Sequence, residues 1–186
     1  EVMMAAVIGL IFLGDLISPP GFVALCIGLA GVLVLSGPVE VEGGWWSKLL
    51  SPSALLGLSA GALFGVSGVA YRAASLTIPS ADPFERAILT LAAVTTMQMI
   101  SMTVWLYLRD REEITRVIST WRTAVFVGIF SLAGSFCWFA AFTLQNAAYV
   151  KAVGQIELIF GFAASSLFFR EKITRREVFG ILLIAA

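Results

Sequence analysis

Of 186 residues, 59% are hydrophobic and only 13% charged, with a mean hydropathy of +0.95. A soluble domain carries nearer a quarter charged residues, so these totals describe an integral membrane chain of the helical kind, in which each span pairs its own backbone polar groups. Twelve basic and twelve acidic residues cancel and histidine is absent, so nothing points to nucleic acid, and metal or imidazole chemistry has no support.

About 20 apolar residues cross the hydrocarbon, and the runs predict spans in order. The first, Val2 to Leu13, is short and ends at the Gly14-Asp15 turn, with Pro19-Pro20 read as further helix breakers. Gly21 to Leu35 is the second. Ser36 to Ser53 is the longest polar and glycine-rich interval, its Trp45-Trp46 pair reads as an interfacial anchor, and it is the expected linker between two halves. The third span, Ala54 to Tyr71, carries Gly57, Gly61, Gly65 and Gly68, a ladder of small residues that lets helix backbones approach closely. Arg72 continues that face. Phe84 to Leu108 is the fourth span, with Thr95, Gln98 and Met102 sharing one side. A charged connector, Arg109 to Arg122, leads to the fifth, Thr123 to Leu144, which has Ser131, Ser135, Trp138 and Phe142 on one stripe. The sixth runs unbroken from Ala147 to Phe169, and a seventh starts at Glu177. Cys26 and Cys137 stand alone in apolar runs and read as packing residues. The chain does not begin with Met and stops inside an apolar run, so a fragment is expected.

An internal repeat underlies this order. Laid without gaps on Glu157–Ala186, the segment Glu1–Ala30 places Glu1 on Glu157, Phe12 on Phe168, Asp15 on Glu171, Ile17 on Ile173 and Ser18 on Thr174. Only four of thirty positions are identical; the signal is that acids and hydroxyls recur in register while the apolar filler drifts. Alternate connectors carry three and nine Lys or Arg, which places the richer set (Ser36–Ser53, Arg109–Arg122, Arg170–Arg176) on the cytoplasmic side. Asp15's turn holds no basic residue and Glu171's holds four, so the two copies end on opposite sides. An inverted duplication with an odd number of spans per copy has that property.

An acid inside a span, another fourteen residues on, then Ile-Ser or Ile-Thr before a further helix, resembles the repeat of the drug/metabolite transporter superfamily, EamA type. Phe12–Ser18 (FLGDLIS) and Phe168–Thr174 (FFREKIT) carry the family's turn, with Asp15 in place of Glu and Arg170 in place of Gly. Glu157 fits the acid of the family's intramembrane Leu-Glu-Pro motif, whereas Leu158 stands where proline is common. The resemblance implies an all-α polytopic membrane protein, an inverted-repeat helical bundle of ten spans, of which this chain holds spans 4–9 and part of 10. Residues 1–36 would then end the first repeat, 37–53 link the two, and 54–186 form a truncated second repeat. It implies a permease for a small polar or amphipathic solute, with membrane lipids and that solute as partners, no cofactor, and the bacterial plasma (inner) membrane as location.

Intramembrane ionisable groups are costly and by default functional, so Glu157 leads the candidate solute-binding residues. On a continuous helix it shares an inward, small-residue face with Asn146, Val150, Gly154, Gly161 and Ala164, and it is the candidate proton carrier; a structural hydrogen bond is the competing reading. Asn146, Trp138, Ser135, Ser131, Gln98, Thr95, Arg72 and Lys151 complete the set, against interhelix glue for the hydroxyls and amides, packing for Trp138, a loop charge for Arg72 and snorkelling for Lys151. Gly57, Gly61, Gly65 and Gly68 are assigned to helix packing. Asp15 and Glu171 read as turn anchors, and Arg170–Arg176 as a topology or headgroup cluster. Two other classes were weighed. A membrane enzyme lacks any catalytic constellation here, and a solid structural bundle would leave the polar stripes without purpose.

Overall fold

The computed structural model describes residues 1–35, 52–168 and 175–185. The expected linker, its Trp45-Trp46 pair, Glu171 and the basic cluster at 170–174 lie outside them. Among the described residues every element is a helix: α1 (Val2–Leu13), α2 (Pro19–Leu35), α3 (Pro52–Leu76), α4 (Pro83–Arg109), α5 (Arg111–Ser119), α6 (Trp121–Leu144), α7 (Ala147–Gly154), α8 (Glu157–Phe168) and α9 (Arg175–Ala185). The helices α3, α4 and α6, together with the run Ala147–Ala164, are long and apolar enough to cross a membrane. On α4 and α6 large side chains such as Met97, Ile100, Phe126 and Phe130 are exposed all round. In water such a surface would drive association; in hydrocarbon it is simply solvated.

Two compact units divide the chain, Glu1–Ala70 with Asn146–Ala186, and Tyr71–Gln145. Within the first, α1 packs along α7, and α2 along α9. Gly14, at φ +67°, closes α1: its N–H reaches the Leu10 carbonyl and the next N–H, of Asp15, reaches Gly9. Glycine takes that left-handed conformation without steric cost. The expectation that Pro19-Pro20 only break structure is corrected. They open α2, because proline's missing N–H is one a helix start leaves unpaired anyway. Gly31 brings α2 against α9 so closely that an added Cβ would stand 2.9 Å from the Gly180 carbonyl and 2.8 Å from Ile184 Cγ1.

In the second unit the end of α3 joins α4 and α6. Ala87, Leu91, Phe139 and Ala140 form its core, with Tyr71, Val94 and Phe136 packed on it; Tyr71 stacks on Phe139 at 4.6 Å. Ser75 and Thr143 bury a hydroxyl pair 2.5 Å apart, and Thr143 also donates to the Phe139 carbonyl. Asp82 caps α4 by accepting the Phe84 N–H at 2.9 Å, with Pro83 following it.

Two features matter for function. The charged connector after α4, given no secondary structure above, contains the helix α5, started by the Asp110 carboxylate accepting the Glu113 N–H at 3.3 Å. The sixth span is not continuous. Between α7 and α8 the N–H groups of Gln155 and Ile156 reach back three residues, to Ala152 and Val153, and those of Leu158 and Ile159 do the same to Gln155 and Ile156. This tighter, 3₁₀-type spacing turns the chain by about three residues per turn rather than 3.6, and no proline is involved.

Candidate functional site

The site is built on α7 and the helices it touches in the first unit. Asn146 starts α7: its Oδ1 accepts the Ala148 N–H at 2.9 Å, and the side chain is buried in doing so. Five residues further along α7, Lys151 is enclosed. Its side chain is 6% exposed, and its ammonium lies 2.5 Å from Oε1 of Glu1 and 5.6 Å from the centre of the Phe64 ring on α3. Glu1 is the more accessible partner, at 41%. An enclosed ammonium among apolar helices is tolerable only when paired, and a carboxylate plus an aromatic face supplies both a counter-charge and a favourable quadrupole.

The glycine face of α3 makes room for this arrangement. A Cβ on Gly65 would lie 3.0 Å from Met4 Cβ and 3.1 Å from both the Glu1 carbonyl and the Ala5 nitrogen, and one on Gly61 3.3 Å from the Glu1 nitrogen. Gly57 meets nothing within 4 Å, and Gly68 is buried. Of the ladder, Gly61 and Gly65 are therefore the rungs that seat the start of α1.

Tyr149, which sequence reasoning missed, ties α7 to the α1–α2 turn. Its hydroxyl accepts the Ser18 N–H at 2.9 Å and pairs with Ser18 Oγ at 3.0 Å, while the Gly21 N–H donates to the same Ser18 Oγ. Any Cβ on Gly21 would collide with the tyrosine ring, 2.6 Å from Cε1. The available signal was the hydroxyl of Ser18 recurring in the repeat.

Glu157 stands in the first turn of α8 and is exposed, not enclosed as a continuous helical wheel predicts. The break at Gln155–Ile156 is the physical reason, since it resets the phase between Asn146 and Lys151 on one side and Glu157 on the other. A carboxylate in a first turn also complements the unpaired N–H groups there.

The remaining candidates belong to the second unit. Arg72 is engaged at a helix end, its Nη1 donating to the carbonyls of Phe142 at 2.9 Å and Gln145 at 2.8 Å; a guanidinium there satisfies carbonyls the helix leaves unpaired and faces the negative end of its dipole. Thr95, half-buried, donates to Leu91 of its own helix. Ser135 is half-buried, Gln98 and Ser131 are exposed, and Trp138 rests on Phe142 at 5.6 Å. The structure thus joins Lys151 to Glu1, while Asn146 caps the helix that carries Lys151. No group of side chains among the described residues has the makings of a metal site, and no buried side-chain polar atom among them lacks a partner.

No curated protein and no solved structure matches the chain. A family model, the EamA-like transporter family, matches residues 51–186, well over half of the length and all of α3 to α9. Members are membrane transporters of the drug/metabolite transporter superfamily, not enzymes. With its membrane-length helices and this match, the chain is an integral membrane protein belonging to the EamA-like transporter family.

Proposed function

We propose that this protein is a secondary transporter that moves a small polar or amphipathic metabolite across the bacterial plasma membrane, by efflux or exchange, through alternating access. The observation that carries the reading is the broken run Ala147–Phe168, with a buried Lys151 one turn before the break and Glu157 in the first turn after it. Discontinuous membrane helices build solute sites in secondary transporters, because the interrupted backbone and the facing helix ends present polar groups inside the bilayer. The acids and hydroxyls that recur in register between Glu1–Ala30 and Glu157–Ala186 support two inverted repeats rocking about that site.

The test uses the full-length protein in proteoliposomes. Counterflow of labelled amino acids, nucleobases, sugars and organic cations is measured, alongside the thermal shift each produces; a ligand of the folded state raises stability by RT ln(1 + [L]/Kd). A transported solute whose shift disappears in Lys151→Gln supports the reading. Absence of counterflow and of any shift across the panel would favour a solid bundle, to which the tight contacts at Gly31 and Gly65 are also suited.

A further inference from the structure

The helix α5 has no role in the transport reading. It is the one described helix whose residues are sharply sorted: Ile114, Val117 and Ile118 fall within a 100° arc at helical spacing, and the polar residues Glu112, Thr115, Arg116 and Ser119 line the opposite side. Ile114 is half-buried, but the rest of the apolar arc is not used to pack the protein. Val117 is 51% and Ile118 65% exposed, as is Trp121 at 58% just beyond the helix end. Nor is the helix an accident of a loop, since the Asp110 cap and the Arg116 pairs to Glu113 at 3.0 Å and Glu112 at 3.6 Å hold it together.

Its place in the chain names what covers that face. α5 is joined by one residue at each end, Asp110 and Thr120, to α4 and α6, both of membrane-crossing length. A nine-residue helix between two such helices is held at the level where they leave the bilayer. Trp105, Tyr107 and Trp121 sit at those same ends and are exposed, as aromatic side chains at a headgroup boundary are. Arg111 lies 4.1 Å over the Tyr107 ring and Arg122 5.8 Å from that of Trp121, two cations at the ends of the helix. The connector Arg109–Arg122 holds four basic and three acidic residues, so apolar burial rather than net charge is the drive.

We propose that α5 lies in the plane of the membrane surface, with Ile114, Val117 and Ile118 docked about 5–10 Å into the phospholipid headgroup–acyl boundary and its Glu112–Arg116 face in water. The test takes the full-length protein in phosphatidylethanolamine–phosphatidylglycerol vesicles, with Cys26, Cys137 and any further cysteine of that protein replaced by Ala. Single cysteines at Val117→Cys or Ile118→Cys, and at Thr115→Cys or Ser119→Cys, receive an environment-sensitive fluorophore. The expected result is blue-shifted emission at 117 and 118, quenched by shallow spin-labelled lipid and protected from iodide, with the reverse at 115 and 119. Equal access of iodide to both faces would show a helix standing off the bilayer. Protection of 117 and 118 from both quenchers would show a protein partner there, and lipid quenching on both faces would show full immersion; each of these overturns the proposal.

Discussion

Lys151 and Glu1 meet across 150 positions of sequence, ammonium to carboxylate, yet they are unequal partners: the lysine is enclosed and the acid is partly open. Loss of either charge therefore has a different cost. Glu1→Gln leaves an enclosed cation without its counter-charge, and we expect a loss of about 2 kcal/mol, below the ~3–5 of a fully buried pair because Glu1 is partly solvated. Lys151→Met leaves an accessible carboxylate and costs less. Thermal unfolding of the full-length protein in detergent ranks them, and the double change Glu1→Gln/Lys151→Met should recover part of the loss. Equal costs in the two single variants would contradict the asymmetry.

The rungs of the α3 glycine ladder are expected to respond separately. Gly65→Ala forces a methyl against Met4 and the backbone of α1, and overpacking of that kind costs about 1–3 kcal/mol. Gly57→Ala meets open space and should be neutral or mildly stabilising, by up to about 1 kcal/mol from helix propensity. A stability series over Gly57, Gly61 and Gly65 checks the gradient, which should rise in that order.

Arg72→Ala exposes the last carbonyls of α6. Hydrogen bonds from a charged donor are worth about 1.5–3 kcal/mol each when lost, and we expect the melting temperature to drop accordingly. Arg72→Lys keeps the charge at the helix end, but its ammonium sits on a different stem and does not reproduce the position of Nη1 between the Phe142 and Gln145 carbonyls, and should fall between. A solute-binding role for Arg72 alone would instead leave stability unchanged and reduce the ligand-induced shift.

Leu158→Pro should be well tolerated. Position 158 is in the first turn of α8, where proline is accepted, and the one bond lost is the Leu158 N–H to Gln155, at 3.0 Å and already of 3₁₀ type. We expect a cost of about 1 kcal/mol, against ~3 for proline in a helix interior such as position 129. Circular dichroism and melting of the two variants decide it.

Glu157→Gln tests coupling. If Glu157 carries the coupling proton, the variant still exchanges solute across proteoliposomes but no longer concentrates it against an imposed pH gradient. Retained pH-driven accumulation would assign coupling elsewhere.

Much of the architecture was legible because span length and the Gly14 turn are local properties. The glycine face of α3 was legible too, though not which rungs it uses. α5 was hidden by its own charges; the Asp110–Glu113 capping spacing followed by Ile114, Val117 and Ile118 was the signal to read. The break at Gln155–Ile156 escaped because proline was taken as the mark of a broken helix, and Leu158 is not one. The partners of Lys151, Arg72 and Tyr149 were beyond reach for a different reason. Each lies 70 or more positions away, and one sequence carries no information on which distant groups meet.

That distance also has a meaning in time. At about 5–20 residues per second of synthesis, the 150 positions between Glu1 and Lys151 correspond to roughly 8–30 s. Arg72 is already made when the α6 carbonyls it closes emerge, so that cap can form as the helix arrives. Glu1 has the longer wait, and until α7 is inserted its carboxylate has to be served by water, lipid headgroups or the insertion machinery. The ion pair thus forms well after α1 is made, and α1 takes its final seat only once α7 has followed it.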